Sequence, residues 1–354
     1  MKKNLFRVIG VMSGTSLDGI DLVDVTFEFE EKWRYTIHHS ETVKYPETWY
    51  QTLKHLVTFS EVQLREIDAD YTEFLAHIIQ RFISKNHING IDAVCSHGHT
   101  AKHEPAKGYT YQIGNLSMLS KKLKQTVVCD FRAQDVALGG QGAPLVPIGD
   151  KLLFSDYTFC LNLGGFANIS FENEGERIAY DICPVNSVLN HYANRLGFEY
   201  DNEGSMASKG SVDDLLLKRL NDLDFYALPF PKSLGIEWVN SEILPRINKM
   251  DLPVEIVLRT FTEHITDQIS EVLNTTTGAT VLITGGGAYH TFLIDRLREK
   301  TSNQLHIPNS DLVEFKEALI FGFLGVLKLR DEVNCLKSVT GASKNHSSGK
   351  IFTP

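Results

Sequence analysis

Three glycine-bearing loops and one carboxylate are the features of this chain best equipped for chemistry. The first loop, Gly14-Thr15-Ser16-Leu17-Asp18-Gly19, follows an apolar run and joins small residues to two hydroxyls and a carboxylate. Glycines let backbone amides approach phosphate oxygens, hydroxyls donate to them, and an Asp can hold Mg²⁺ through water. The same residues also make an ordinary hairpin turn, so both readings stand at this point. Asn162-Leu163-Gly164-Gly165 occupies the corresponding place in the second half of the chain, and Gly285-Gly286-Gly287 follows a further apolar run. No G-x-x-x-x-G-K-[ST] is present, and no G-x-G-x-x-G follows the first strand, which argues against a Walker P-loop or an ordinary dinucleotide site. Glycine loops spread over two halves fit a nucleotide clamped between domains; the competing reading of the triple glycine is a flexible loop.

Asp181 stands at a strand end with a helix ahead, where an α/β fold presents carboxylates that can act as general bases. A helix cap or turn would use the same residue type. In Asp130-Phe131-Arg132 with Asp135, Arg132 can grip a carboxylate bidentately or pair with a neighbouring Asp at a hinge. Cys95, His97, His99 and His103 form a rival constellation. His-x-His on a strand places both imidazoles on one side, as metal hydrolases require. However, no H-E-x-x-H or H-x-x-x-D completes it, and one histidine bonding substrate is the alternative.

The elements that must position these groups read as α/β. Arg7–Met12 and Leu22–Phe29 form two strands around the first loop, the second alternating Val23, Val25, Phe27 and Phe29 against polar residues. A helix is predicted over 61–84, opened by a Ser60/Gln63 capping box, and a strand over 91–95. Asp130 to Asp150 is rich in Gly and Pro, which marks a crossover. Beyond it, strands at 157–163 and 167–171 repeat the opening hairpin, which suggests a duplicated α/β fold. Helices follow at 186–196, 211–220 and 255–273, then a strand at 280–283, helices at about 291–300 and 314–330, and an extended or looped tail from 338 to 354.

Composition bounds the rest. The 354 residues are 42% hydrophobic and 22% charged, which excludes disordered and fibrous classes and suits about two domains. The balance of 35 basic against 44 acidic residues, net −9, lacks the footprint of a general nucleic-acid binder. The apolar start is cut by Arg7, against a signal peptide, and the longest apolar stretch, 318–327, is half a membrane span. Five separated cysteines without C-x-x-C read as reduced thiols of a cytoplasmic protein.

With these residues in view, the sequence resembles the anhydro-N-acetylmuramic acid kinases, sugar kinases of the actin and hexokinase ATPase superfamily. The resemblance runs from Gly10-Val11-Met12-Ser13-Gly14-Thr15-Ser16-Leu17-Asp18-Gly19 through His97-Gly98-His99-Thr100, Asp130-Phe131-Arg132 with Asp135, and Gly139-Gly140-Gln141-Gly142-Ala143-Pro144. It continues through Leu161-Asn162-Leu163-Gly164-Gly165, Tyr180-Asp181, Pro231-Lys232-Ser233, Gly285-Gly286-Gly287, Glu317-Ala318 and Ser338-Val339-Thr340-Gly341-Ala342. It implies a duplicated actin-like (ribonuclease H-like) ATPase fold, two domains with a central cleft. The expected division is 1–135 and 136–337, with the tail 338–354 returning to the first domain.

The resemblance also implies residue roles. Gly14 to Asp21, including Ile20, would cradle ATP phosphates, with Asn162, Gly164 and Gly165 beside them and the Gly285 loop holding the nucleoside. Asp181 would be the catalytic base. His97, Thr100, Arg132, Asp135, Asn186 and Lys232 would bind an anhydro amino sugar, and Asp18, Asp21 or Glu317 would organise Mg²⁺. A homodimer in cytoplasmic peptidoglycan recycling is implied, with no nucleic-acid or membrane partner. Four departures stand out: Asp181-Ile182-Cys183-Pro184-Val185-Asn186 for D-T-G-P-G-N; Phe230-Pro231-Lys232-Ser233-Leu234-Gly235-Ile236-Glu237 for P-P-K-S-T-G-R-E; His99 for a usual Gln; and His290 for a frequent Asn. Another amino or anhydro sugar as acceptor, a metal hydrolase built on the His97 cluster and a non-catalytic ATP-binding sensor are the alternative functions.

Overall fold

A computed structural model describes residues 3–354. The chain packs as two compact units, one running up to Leu153 and completed by Phe315–Pro354, the other Phe154–Glu314. In the first unit, β1 (Leu5–Ser13), β2 (Ile20–Phe29) and β3 (Trp33–Val43) form an antiparallel meander. β4 (Ala93–Ser96) then pairs parallel to β1. β5 (His99–Glu104) and β6 (Tyr109–Ile113) form a separate hairpin, and β7 (Val127–Cys129) lies parallel to β4. The order across the sheet is β3-β2-β1-β4-β7.

The second unit repeats this plan. β8 (Phe159–Leu163), β9 (Phe166–Asn173) and β10 (Glu176–Pro184) form the meander; β11 (Thr280–Thr284) runs parallel to β8 and β12 (Gln304–His306) parallel to β11. Its order, β10-β9-β8-β11-β12, matches that of the first unit strand for strand and direction for direction. Each unit is therefore a ribonuclease H-like domain of the actin-like ATPase fold, and the duplication expected from two opening hairpins is present. A last strand, β13 (Lys350–Phe352), extends the first sheet antiparallel to β7.

Burial follows the layers. The inner strands β1 and β4 are apolar and almost wholly buried, because helices cover the sheet, whereas β3 at the edge alternates. The 61–85 helix opens with the predicted capping box, Ser60 Oγ accepting from the Gln63 amide and Gln63 reaching back to the Ser60 amide. The helix Ser310–Leu329 lies directly on β1 and β4: a Cβ on Gly10 would come 2.1 Å from the Ala318 carbonyl oxygen, and one on Gly325 2.1 Å from Cys95 Sγ. Glycine at both positions is what allows this approach.

This packing explains why the units divide after Leu153 and before Phe315 rather than at 135/136 and 337/338. The helix Pro147–Leu153 meets the same 310–329 helix, where Gly149 faces Ile320 at distances that leave no room for a side chain, so both segments belong with the first sheet. The tail reading of 338–354 meets a one-turn helix at Lys337–Thr340 before the extended strand. Among the described residues no helix is long and apolar enough to cross a membrane.

Candidate active site

In the second unit the two glycine loops interlock. Gly285 has φ +83°, and a Cβ there would sit 2.7 Å from Asn162 Oδ1 and 2.9 Å from the Leu163 carbonyl. A Cβ on Gly287 would meet Leu163 Cβ at 2.7 Å. The turn between β8 and β9 is held by the helix that follows β10: Val185 and Ser187 amides donate to Gly165 O, and the Asn186 amide to Gly164 O. Asn186 Nδ2 would lie 3.8 Å from a Cβ on Gly286. Asn162, Gly164, Gly165, Asn186 and Gly285–Gly287 thus converge, and the triple glycine is a turn held by Gly285 and Gly287 against Leu163, with Gly286 exposed.

Asp181 lies within β10 near its end, at a register shift against β9 between Asp181 and Cys183. Its backbone amide donates to Lys232 O at 3.1 Å, and its Oδ2 accepts the Leu234 amide at 2.8 Å. Burial pushes the carboxyl above its ordinary range, and the Leu234 hydrogen bond draws it partly back. Asp181 is therefore neither a helix cap nor a turn fixture, but a half-buried carboxylate with raised basicity. Lys232, expected on substrate, instead donates Nζ to the carbonyl oxygens of Phe225 and Tyr226 at 3.1 Å and sits 4.8 Å over the Phe225 ring. Its visible role is to anchor the segment that supplies the Leu234 amide.

In the first unit the loop between β1 and β2 turns tightly, with the Leu17 amide on Gly14 O and Leu17 at φ +64°. Thr15, Ser16 and Asp18 face solvent, while Gly19 and Ile20 are buried; a Cβ on Gly19 would touch Thr42 and Val43 of β3 at 2.8 Å. Asp21 Oδ1 accepts from Thr42 Oγ1 at 2.6 Å. Exposed hydroxyls and a carboxylate on one rigid hairpin are oxygen donors and acceptors of the kind that fit phosphate and Mg²⁺. Asp18, Asp21 and Glu317 are not drawn into one carboxylate cluster; Mg²⁺ bound through one or two carboxylates, water and phosphate needs none.

The histidine constellation is dispersed. Gly98, at φ +73°, separates β4 from β5, so His97 and His99 do not share the face that a continuous strand would give them. His97 donates Nδ1–H to Gly98 O and accepts the Arg132 Nε–H at Nε2, 2.8 Å each. Burial and then the Arg132 charge hold its imidazole neutral, with a pKa well below the usual value. His99 bonds Ser13 Oγ at 2.7 Å within a cluster of Tyr45 and Tyr71 hydroxyls, and burial pushes it down to about 4. His103 bonds Thr110, and Cys95 is packed under the 310–329 helix. No common point for a metal exists among the four.

Arg132 is the better-built group. Besides His97, it donates Nη1–H to Gly142 O at 2.6 Å, and the Gly142 amide donates to Asp135 Oδ2 at 2.7 Å. Glu317 lies near enough to raise Arg132's proton affinity against burial. Crowding by the surrounding protein in turn pushes the Glu317 carboxyl up, offset by Arg132 and Lys316, although the residue is solvent-exposed. His97, Arg132, Asp135 and Glu317 therefore belong to one region of this unit, with Thr100 on β5 opposite Gln112. Reading the sequence missed Ser13, Tyr45 and Tyr71 as partners of His99, because nothing local marks a hydroxyl cluster assembled from three elements.

Residues 6–354 match the family profile described as Anhydro-N-acetylmuramic acid kinase. The chain belongs to this family. A relative from Pasteurella multocida (strain Pm70), named Anhydro-N-acetylmuramic acid kinase, is 34% identical over 99% of this chain and 98% of its own length. Relatives of the same name from Haemophilus influenzae (strain ATCC 51907 / DSM 11121 / KW20 / Rd) and Saccharophagus degradans (strain 2-40 / ATCC 43961 / DSM 17024) are 32% and 34% identical, covering 97% and 100% of both partners. Within the anhydro-N-acetylmuramic acid kinase family, the departures of this chain now have places. Ile182, Cys183 and Val185 are at most 3% exposed and join the core of the second unit. His290 caps the helix Thr291–Lys300, its Nδ1 accepting the Leu293 amide at 3.0 Å, as an Asn side chain there can.

Proposed function

We propose that this kinase opens the 1,6-anhydro ring of anhydro-N-acetylmuramic acid with water and phosphorylates O6 from ATP, giving N-acetylmuramic acid 6-phosphate and ADP. Family membership across residues 6–354 carries the reading, and the environment of Asp181 supplies its chemistry. Asp181 takes a proton from the water that attacks the anomeric carbon. The bond from that carbon to O6 breaks, and O6 receives the γ-phosphoryl group. The Leu234 amide orients the carboxylate through Oδ2, leaving Oδ1 for the water.

Phosphoryl transfer is chiefly positioning and charge neutralisation. The Gly14–Asp21 loop, with Thr15 and Ser16 exposed, is assigned to the ATP phosphates; Asn162, Gly164 and Gly165 assist, and Gly285, Gly286 and Gly287 bind the nucleoside portion. Mg²⁺, when bound, neutralises phosphate charge, with Asp18, Asp21 or Glu317 as its protein contact. Arg132, held by His97 and Gly142, is assigned to the lactyl carboxylate of the sugar, with Thr100 and Asn186 as further contacts. Lys232 and Asp135 contribute by anchoring the backbone around them. A cytoplasmic location suits the five buried free cysteines, and family membership suggests a homodimer acting in peptidoglycan recycling.

The test is ADP release by purified protein with Mg·ATP and the anhydro sugar. Turnover dependent on that sugar is expected, and none with N-acetylglucosamine. Ile236, 48% exposed and standing where the family resemblance leads to an expected Arg, favours one second reading, a different anhydro amino sugar. Turnover of such a sugar in preference to the expected one would replace the substrate assignment.

A further inference from the structure

Asp135 is fully buried and surrounded by groups that come from far along the chain. Its Oδ1 accepts from Cys335 Sγ at 3.0 Å and from Thr340 Oγ1 at 2.8 Å, and lies 3.6 Å from His346 Nε2. Cys335 and His346 face each other in an antiparallel bridge, each donating its amide to the other's carbonyl at 3.1 and 3.2 Å. Residues opposed in this way carry their side chains on the same face. Sγ, Nε2 and a carboxylate oxygen lie within 4.8 Å of one another, the only such group of three among the described residues.

The histidine is the telling member. Its Nδ1 is 3.1 Å from Lys344 O, and a carbonyl oxygen only accepts, so Nδ1 carries the proton. In the neutral imidazole Nε2 then presents a lone pair, buried, with no hydrogen-bond partner, toward a carboxylate oxygen too distant for a hydrogen bond. Two lone pairs facing each other in the protein interior are unfavourable unless a cation, a proton or a metal ion, lies between them. The orientation of a metal-binding histidine is fixed in this way, by a carbonyl on its other nitrogen. Tetrahedral zinc with ordinary bond lengths sets its ligand atoms about 3.4–3.6 Å apart. The His346–Asp135 separation of 3.6 Å already meets that spacing, and the sulfur, at 3.0 Å from Oδ1 and within 4.8 Å of Nε2, must draw back from the carboxylate by about half an ångström to reach it.

We propose that Asp135, Cys335 and His346 bind a divalent transition-metal ion of the zinc class, a site separate from the Mg·ATP machinery. Sulfur and imidazole exclude Mg²⁺ and Ca²⁺ as the preferred occupant. On binding, the Cys335 S–H bond breaks, its proton leaves to solvent and the thiolate sulfur joins the ion. The hydrogen bond to Asp135 Oδ1 is replaced by the oxygen–metal bond, and one enclosed water molecule takes the fourth position, as in zinc sites with three protein ligands. The ion clamps the 334–348 segment to the helix Ala133–Ala137, whose Asp135 already holds the Gly142 amide that faces Arg132.

Cobalt(II) titration of the reduced, chelator-treated full-length protein tests this. A thiolate-to-cobalt charge-transfer band saturating at one ion per chain, displaced by zinc, is expected. The band is lost in Cys335→Ser, cobalt binds about tenfold more weakly or worse in His346→Gln, and Cys160→Ser, altered in the other unit, binds as the parent does. Zinc also raises the melting temperature of the parent but not of Cys335→Ser. Absence of the band in the parent, or parent-like cobalt binding in both Cys335→Ser and His346→Gln, overturns the site. Should Cys335→Ser fail to fold, His346→Gln decides: parent-like affinity overturns the proposal and weakened affinity supports it.

Discussion

Asp181, the proposed base, shows how its surroundings set the basicity of a single carboxylate. Burial disfavours its charge by more than the Leu234 amide favours it, so its pKa lies above the ordinary carboxylate range. A base acts only when ionised. kcat/KM should therefore fall as pH drops through this raised pKa, with the acid limb above that of a solvated aspartate, about 3.9. Asp181→Asn should lose about 10²- to 10⁴-fold in kcat while binding ATP normally. A pH–rate profile with its limb at the solvated value would assign the limb to another group, and retained turnover in the variant would remove the base. The type and position of Asp181 were legible in the sequence; its hydrogen-bond partner, more than fifty residues onward, was not. For Arg132 the carboxylate grip stands as a proposal, while the other reading, an Arg–Asp pair, gives way to a third arrangement, with His97 and Gly142 holding the guanidinium.

At the level of elements, helices announced themselves through periodicity and caps, and the 61–85 and 291–300 helices lie where the pattern puts them. His290 adds a cap that residue preference does not advertise. Its Nδ1 accepts the Leu293 amide, while its ring fills the space left by Gly204, where a Cβ would approach Cε1 to 2.3 Å. His290→Ala should lower unfolding free energy by about 1 kcal/mol, from loss of the cap, and His290→Asn by less. Denaturant melts of the two variants check this; equal loss in both would mean that ring packing, not capping, is what matters. The misplaced element is the His-x-His strand. Alternation assumes continuous extended backbone, and Gly98 in the left-handed region ends one strand and begins another.

At the scale of the whole chain, two ribonuclease H-like domains share one strand order, and the first is discontinuous. Helix residues from Phe315 onward fill its core, and β13 extends its sheet. A chain ending at Glu314 should therefore lose the first domain's cooperative unfolding transition, because it removes buried Phe321, Phe323 and Leu324, with Phe323 packed on Phe27 and Trp33, together with the close approach of Ala318 to β1 and of Gly325 to β4. Circular dichroism and calorimetry of the truncated chain measure this, and two intact transitions would contradict it. The net charge of −9 is a whole-molecule property too. It suits the proposal that ATP phosphates are met by amides, hydroxyls and a cation on glycine loops and not by a basic surface.

Local physics determined much by sequence alone: hydrophobic periods placed β1, β2, β4, β8, β9, β11 and the long helices, glycine spacing marked the loops, and two similar opening hairpins disclosed duplication. Each of these depends on neighbours within a few positions, where side-chain type and backbone preference act directly. Tertiary structure alone decided the partners. It joined Asp181 to Leu234, Arg132 to His97, and Asp135 to Cys335, Thr340 and His346 across about two hundred residues. Such pairings depend on sheet order and on which helix a glycine admits. These are products of packing the entire chain, and residue spacing does not encode them.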